Sequence, residues 1–368
     1  MTDSTSLVRR RVWLTILGLP LYLVVAEVAA RLWASSRYTP ERMEQLTTHS
    51  PVRGRFACYP YLPYVLNPAF PGHNALGFRG PPMEAKKAPD VRRLVCLGAS
   101  TTYGGMNDPE DSYPAQLGKL MAQRHDHWEV VNTGTLGYVS SELLINLELR
   151  ILPLEPDVVV ILPSRNEIVA QTYNNYRSDY THFRRVGFNF TVSNYLHKEL
   201  FKKSRLFMLA CTVRGERFGW SEAEEHPLYA GLVWENKPTV DEAIHNCHDP
   251  ERMVTFRRST ESMLELCRDH GITVLMCTMP ERPEKYDLDE LDHDTRLFGE
   301  LGQLVERDNQ VLREVAARYD TPILEAAPLN EHPELFDDDC HLSPDGHRFQ
   351  ARMVYDALGP LIDQHTKD

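Results

Sequence analysis

The sequence lacks closely spaced cysteine pairs, which argues against two common uses of cysteine. Its seven cysteines are scattered over 368 residues, and none forms a Cys-x-x-Cys pair. Zinc sites and disulfide frameworks both depend on cysteines at characteristic spacings. Cys96, Cys267 and Cys277 lie in apolar runs, so we expect them to be small core residues rather than members of a disulfide framework.

A concentrated positive charge is also absent. The formal net charge is −12, with 52 Asp and Glu against 40 Lys and Arg, and the one basic tract is Arg9–Arg11. Nucleic-acid binding needs a concentrated cationic face, so we expect no nucleic-acid partner. With 42% hydrophobic and 25% charged residues, the chain has the composition of a folded globular protein. Its length is sufficient for one large domain with a sizeable core.

A long uncharged run is present near the N-terminus. Residues 12–26 carry no charge, and the apolar character extends to residue 34, close to the roughly 20 residues that span a bilayer. The preceding arginines favour a cytoplasmic segment 1–11, a transmembrane anchor 12–34 and an exported remainder. A cleaved signal peptide, with small residues at 28–30, would also export the domain. A soluble amphipathic helix is less favoured because the run has no polar face.

Two stretches interrupt regular structure. Residues 35–90 contain many prolines, so we predict an extended linker that packs on the following domain. Residues 168–248 are rich in aromatic residues and directly follow a predicted strand, which favours an insertion or lid over a sheet edge. Additional core packing is the alternative for this second stretch.

The rest of the chain alternates strand and helix patterns. We predict strands near 93–98, 129–132, 156–162, 272–276 and 322–324. We predict helices over 113–124, from Ser140 or Ser141 to 152, from Asp249-Pro250 to before Gly271, over 294–319 and over 343–362. The alternation, and the apolar third strand, indicate a parallel sheet covered by helices on both faces.

Ser100 directly follows the first predicted strand, where an open α/β sheet carries its chemistry. A serine hydroxyl is a poor nucleophile until a base takes its proton. His341 lies in the loop after the last strand and is the candidate base. Asp338 stands three residues earlier, a spacing that lets a carboxylate orient the imidazole from the same loop.

The chain also offers donors for a developing oxyanion. They are the backbone N–H groups of Ser100 and Gly137 and the side-chain amide of Asn166, each just beyond a predicted strand. Arg165 adds a cation beside Asn166. It can bind an anionic substrate or pair with Glu167, and we favour the ion pair because adjacent opposite charges are usually structural.

These segments resemble blocks I, II, III and V of the SGNH (GDSL-type) hydrolase superfamily. In order, the matching residues are Ser100, Gly137, Asn166, and the Asp-x-x-His pair Asp338 and His341.

The resemblance covers residues 70–363 apart from 168–248. The segment 74–79, Asn-Ala-Leu-Gly-Phe-Arg, resembles membrane-anchored bacterial members. Two positions depart from the family pattern: block I reads Gly98-Ala-Ser instead of Gly-Asp-Ser, and block III reads Ser164-Arg-Asn-Glu instead of Gly-x-Asn-Asp.

The resemblance implies an α/β fold for residues 91–368: a three-layer α/β/α flavodoxin-like domain with a five-stranded parallel sheet. It also implies serine-dependent chemistry without a metal or other cofactor. The first hypothesis is a membrane-anchored, exported serine esterase acting on a carboxylic ester such as an acylated envelope glycan or lipid. An O-acyltransferase using the same residues is the second hypothesis, and a non-catalytic binding module is the third.

The C-terminal acidic run permits other interpretations. Asp337–Asp339 with His341 and His347 could form a metal cluster, although no second ligand group at helical spacing accompanies them. Asp339 could orient the imidazole instead of Asp338, but its spacing is less suitable. We expect His347 to be a surface residue on the last helix.

Overall fold

The computed structural model describes residues 4–37, 55–105, 107–124, 127–183, 203–207, 209, 238–281 and 295–365. The chain divides into two compact units, one of residues 1–53 and 187–226 and the other of residues 54–186 and 227–368.

The described residues of the first unit belong mainly to helix α1, Ser4–Arg37. Its segment Gly18–Arg37 has a mean hydropathy of 1.2 and is long and apolar enough to cross a membrane, a test that signal sequences also pass. Large apolar side chains on this segment are exposed, including Leu21 and Tyr22 at 67% and 69%. Within the same unit, the Glu27 carboxylate accepts hydrogen bonds from the N–H groups of Arg205 and Leu206.

The second unit is built on a five-stranded parallel sheet, as predicted. Its strands are β3 Arg92–Gly98, β4 Trp128–Asn132, β5 Val158–Leu162, β6 Thr273–Cys277 and β7 Ile323–Leu324. The order across the sheet is β4-β3-β5-β6-β7, with all neighbours parallel. Counted within the sheet, this is the order 2-1-3-4-5 of flavodoxin-like folds, which reverses direction between β3 and β5.

Helices connect the strands, and five of them lie where the sequence predicts helices: those that begin at Tyr113, Ser140, Val254, Thr295 and Pro344. In chain order, the helices are α2 Ser100–Tyr103, α3 Tyr113–Met121, α4 Ser140–Asn146, α5 Asn166–Thr172, α6 Val240–Cys247, α7 Val254–Asp269, α8 Thr295–Arg318, α9 Ala327–Asn330 and α10 Pro344–His365. A π-helical turn, Leu147–Ile151, extends α4, and a 3-10 turn, Pro250–Met253, precedes α7.

Alternating side chains of the strands build a core on each face of the sheet. Val95 and Leu97 of β3 belong to one buried cluster, which also contains residues of α4, α7 and α8. Leu94 and Cys96 of β3 belong to the other cluster, together with residues of α3 and α10. Since successive strand residues point to opposite faces, the sheet lies between two helical layers. The predicted three-layer α/β/α fold is therefore confirmed.

The stretch predicted as an extended linker differs from that expectation. It contains an antiparallel hairpin of β1, Phe56–Tyr59, and β2, Leu62–Leu66. Phe56 and Leu66 are buried in the same cluster as Val95. The prolines at 60 and 63 are compatible with this hairpin because proline is tolerated in turns and in edge strands. Residues 38–54 of the linker lie outside the described residues.

The predicted insertion or lid at 168–248 is described only at its two ends. Helix α5 covers its first residues and helix α6 its last. Residues 184–202, 208 and 210–237 lie outside the described part of the chain, and so do their contacts.

Candidate active site

A tight turn at the end of β3 brings Ser100 to the first position of α2. Gly98 has no room for a side chain, because a Cβ there would lie 2.5 Å from the Leu162 carbonyl oxygen and also against Thr102 Oγ1. Gly134 is equally constrained, since a Cβ there would overlap the Tyr103 backbone nitrogen. Glycine at these positions therefore allows the two loops to pack directly on the serine turn.

The structure brings Ser100, His341 and Asp338 into one chain of contacts. The Ser100 Oγ to His341 Nε2 distance is 2.8 Å, and His341 Nδ1 lies 2.6 Å from Asp338 Oδ2. Asp338 Oδ1 also accepts the backbone N–H groups of Cys340, at 2.8 Å, and His341, at 2.6 Å. The carboxylate thus fixes both its own loop and the ring, and the serine hydroxyl lies within reach of the opposite ring nitrogen.

The electrostatics of this group favour a charged carboxylate and a basic ring. Burial acts to raise the pKa of Asp338, but its hydrogen bonds to His341 and to the loop backbone outweigh it and hold the pKa well below the usual value. Burial likewise acts to lower the pKa of His341, but the Cys340 sulfur and the Asp338 carboxylate raise it above its ordinary value. The imidazole is therefore a stronger proton acceptor than a free histidine.

Gly137 and Asn166 lie on two further loops that meet beside the serine turn. The Thr135 N–H donates to the Gly98 carbonyl at 3.1 Å, which ties the loop of Gly137 to the end of β3. Asn166 begins α5 after β5, and its Nδ2 donates to the Tyr138 carbonyl at 2.9 Å. Gly137 has a φ of 76°, a conformation that side chains disfavour.

Glu167 is a structural partner of this site that the sequence did not reveal. Its side chain is fully buried and accepts the Ser140 N–H at 2.6 Å and the Tyr180 hydroxyl at 2.7 Å. Burial raises its pKa to about 7, despite these hydrogen bonds. Glu167 therefore joins the start of α5 to the start of α4, next to the predicted oxyanion donors.

The prediction that Arg165 pairs with Glu167 is wrong. Its guanidinium forms an ion pair with Asp339, 174 residues away, and the Asp339 side chain is almost fully buried. Residues two apart in a helical turn do not face each other, so Arg165 and Glu167 point in different directions. Glu167 points to α4, while Arg165 points to the loop of His341.

Arg79, at the end of the 74–79 segment, supports the same loops from the end of β4, where its N–H donates to the Asn132 carbonyl at 3.2 Å. Its guanidinium donates to the Asn107 carbonyl and lies 3.9 Å from the centre of the Tyr103 ring. Asn107 Nδ2 in turn donates to the Leu342 carbonyl at 2.8 Å. The 74–79 segment drew attention to Arg79 in the sequence. Its partners could not be predicted, because they lie far away along the chain.

The prediction that His347 lies on the surface is wrong, because the residue is buried. Its side chain is fully buried on α10, and burial, with Arg79 and His341 nearby, lowers its pKa to about 3. Its position follows from helical periodicity, because Ala351 and Val354, four and seven residues later, are buried on the same stripe.

One group of described side chains has the composition of a metal site. A ligand atom of each of Asp338, Cys340 and His341 lies within 4.8 Å of the others. Cys340 Sγ is 3.6 Å from His341 Nδ1. The same Asp338 and His341 atoms form the hydrogen bonds to each other described above, so a metal would have to replace those bonds.

No protein-family model matches the chain, and no curated protein matches it. Among solved structures, the chain is similar to the acetyl xylan esterase AlAXEase, at 17% identity, covering 72% of this chain and 99% of that one, with a TM-score of 0.41. It is also similar to a lipase/acylhydrolase from Enterococcus faecalis, at 15% identity, 73% and 95% coverage and a TM-score of 0.41. A third is a variant of Axe2, an acetyl xylan esterase from Geobacillus stearothermophilus, at 16% identity, 75% and 97% coverage and a TM-score of 0.43. Similarities at this level do not assign a function, which must be inferred from the geometry of this chain's own site.

Proposed function

We propose that this chain is a serine ester hydrolase of the SGNH type that uses Ser100 as nucleophile, His341 as general base and acid, and Asp338 as the residue that orients the ring. The observation that carries the proposal is the continuous contact Ser100–His341–Asp338, at 2.8 and 2.6 Å, between residues as far as 241 positions apart. Nucleophile, base and orienting carboxylate in this order are the arrangement required for acyl transfer.

Each group has a defined part in the reaction. His341 Nε2 takes the proton of Ser100 as its Oγ bonds to the ester carbonyl carbon, and the carbonyl electrons move to oxygen. Collapse of this tetrahedral intermediate breaks the bond to the alkoxy oxygen, which leaves with the proton from Nε2. Water, activated by the same nitrogen, then releases the acid from acyl-Ser100.

The oxyanion donors are the backbone N–H groups of Ser100 and Gly137 and the amide of Asn166. An amide nitrogen carries two N–H groups, so the bond from Asn166 to Tyr138 leaves a second donor. A donor of this kind contributes about 3–4 kcal/mol to transition-state stabilisation. The buried Glu167 supports the proposal because it holds the two loops of Gly137 and Asn166 together.

We further propose that residues 12–34 anchor the enzyme in a membrane with residues 1–11 in the cytoplasm and the catalytic domain exported. The exposed apolar side chains of α1 support an anchor, and the arginines at 9–11 support this orientation. The expected substrate is then a carboxylic ester of an envelope glycan or lipid.

The test is hydrolysis of short- and medium-chain esters by the purified full chain, with Ser100→Ala beside it. We expect kcat/KM to fall by about 10⁴-fold or more in Ser100→Ala. Ser262→Ala, on α7, is the matched control and should retain wild-type activity. A fluorophosphonate probe should label the wild type and the control but not Ser100→Ala. Equal rates in all three proteins would refute the assignment.

Adding a sugar acceptor to the same assay tests the O-acyltransferase hypothesis. Water and a sugar hydroxyl compete for the same acyl-enzyme, so a transferase would yield acylated sugar in place of free acid. A binding module would show neither product and no covalent labelling of Ser100.

A further inference from the structure

We propose that Arg165 and Asp339 form a latch that positions the two halves of the catalytic site, so that both are positioning residues rather than substrate ligands. This inference rests on the proposed function, because it assigns roles relative to that catalytic machinery.

Asp339 is fixed within the loop that carries the base. It lies between Asp338, which contacts the His341 ring, and Cys340, whose N–H is bound by Asp338. The loop is closed by the Asp337 N–H, which donates to the His341 carbonyl at 2.9 Å. Asp339 therefore cannot be displaced without displacing the residues on either side of it, which hold the ring against Ser100.

Arg165 is fixed within the loop that carries the oxyanion amide. It is the residue directly before Asn166, at the start of α5, and follows the end of β5 by three positions. The Asn166 N–H lies 3.4 Å from the Ser164 hydroxyl, and the Asn166 amide is committed on one side to Tyr138. A shift of Arg165 would therefore be transmitted to Asn166 and to the loop of Gly137.

The ion pair between them is well shielded from water. The Asp339 side chain is 4% exposed and that of Arg165 is 22% exposed. A buried carboxylate without a partner is strongly unfavourable, so Asp339 holds Arg165 in place more firmly than a surface pair would. The latch thus connects the acid–base loop directly to the oxyanion loop, across the point at which the substrate carbonyl would be bound.

A second carboxyl group near Arg165 does not compete for it. Glu281 follows β6 and is buried, and neither of its side-chain oxygens has a hydrogen-bond partner among the described residues. Burial raises the pKa of Glu281 to about 8, in spite of the charge of Arg165, so the group is neutral at pH 7. Asp339 is the carboxylate that contacts the Arg165 guanidinium directly.

Two variants each remove the charge of one partner: Asp339→Asn, which keeps the size of the side chain, and Arg165→Gln, which replaces the guanidinium by a shorter neutral amide. We expect each to lower kcat on a neutral ester by about ten- to a hundredfold with little change in KM, because small displacements of catalytic groups have effects of this size. The double variant should be no slower than the slower single variant, since both remove the same interaction. Arg318→Gln, which removes an exposed ion pair with Glu261, is the matched control and should have wild-type kinetics.

A comparison of a neutral ester with a carboxylate-bearing ester distinguishes a positioning role of Arg165 from direct binding of the substrate. If Arg165 instead recognised an anionic group, Arg165→Gln would raise KM for a carboxylate-bearing ester and leave the neutral ester unaffected, and Asp339→Asn would not reproduce the effect. That result would overturn the proposal. Wild-type kcat in a folded Arg165→Gln protein would overturn it as well.

A milder variant and a spectroscopic measurement cover the remaining cases. Should Arg165→Gln not fold, Arg165→Lys keeps the charge but lacks the planar guanidinium, and should show a kcat between those of the wild type and Asp339→Asn. A wild-type kcat there refutes the latch. The downfield proton NMR signal of His341 Nδ1–H, which needs no turnover, should broaden in Arg165→Gln and in Asp339→Asn. If the signal is sharp in the wild type and broadens in both variants, but the wild type hydrolyses no ester, the proposed function is refuted while the positioning of His341 by the latch stands.

Discussion

The substitution Asp338→Asn should lower both the rate and the pH at which activity develops. In the structure, Asp338 Oδ2 lies 2.6 Å from His341 Nδ1. The Cys340 sulfur and the Asp338 carboxylate together raise the pKa of His341 above its ordinary value of 6.5. Below that pKa the ring is protonated and cannot accept the serine proton. We therefore expect kcat/KM of the wild type to rise with pH through a midpoint above 6.5.

The size of the shift follows from the charge that is removed. Two unit charges about 4 Å apart attract each other by about 1 kcal/mol in water and about 4 kcal/mol at an effective dielectric constant of about 20. The Asp338 side chain is 47% exposed, so solvent screens the pair and an intermediate value of about 2 kcal/mol applies. At about 1.4 kcal/mol per pKa unit, Asp338→Asn should lower the midpoint by about one to two pH units.

The rate itself should fall by about 10⁴-fold, because the amide no longer selects the productive tautomer of the ring. The assay is kcat/KM for a soluble ester between about pH 5 and 10, with an NMR titration of His341 in parallel. Asp337→Asn makes the same charge change on the exposed neighbouring residue and should move the midpoint by much less than one unit. A wild-type midpoint below 6.5, or equal midpoints in all three proteins, would show that Asp338 does not set the basicity of the ring.

The geometry of the site supports three further predictions. Asn166→Ala should lower kcat by about 10²–10³-fold with little change in KM, as measured by steady-state kinetics, and an unchanged kcat would remove Asn166 from the oxyanion hole. Gly134→Ala should lower both the melting temperature and the activity, since its methyl group would overlap Tyr103; a wild-type melting curve would contradict this packing. Zn²⁺ should inhibit reversibly by binding Cys340 and His341, with recovery on chelation, and equal inhibition of Cys340→Ser would exclude the thiol.

The sheet could be predicted because its local signals agree. The run Val158–Leu162 is apolar at every position, and all five of its residues are buried, as a central parallel strand requires. The residues at the ends of such strands gather at one edge of the sheet whatever their distance in sequence. That rule is sufficient to predict that Ser100 and His341 lie at the same edge of the sheet. It does not predict that their side chains are within hydrogen-bonding distance, which only the structure shows.

Partners of charged residues could not be predicted in the same way. The closest opposite charge to Arg165 in sequence is Glu167, but the turn of the helix points the two side chains apart, and Asp339 reaches Arg165 only through the tertiary fold. The first turn of α4 gives a similar example. The sequence favours Ser140 or Ser141 as the cap, whereas the Glu142 carboxylate accepts the Val139 N–H at 2.9 Å.

The hairpin and His347 escape sequence-based prediction for different reasons. Prolines at 60 and 63 suggest irregular chain, but the aromatic and aliphatic residues around them are buried when β3 is available to pack against. His347 carries a usable signal, since it shares the helical stripe of Ala351 and Val354. For a polar residue on an apolar helical stripe, burial should be predicted from its position on the helix before its residue type is considered.

The separation of Ser100 and His341 has a consequence during synthesis. The two residues that must touch are 241 positions apart. At about 5–20 residues per second, a ribosome needs roughly ten to fifty seconds to cover that distance. Throughout this interval the serine has left the ribosome without its base, and the sheet face that α10 covers is still open. If Ser100 and His341 act together as proposed, a nascent chain gains activity towards esters only after its C-terminal helix has docked. Ribosome stalling or premature termination before residue 341 would then yield a protein with the proposed nucleophile but no base.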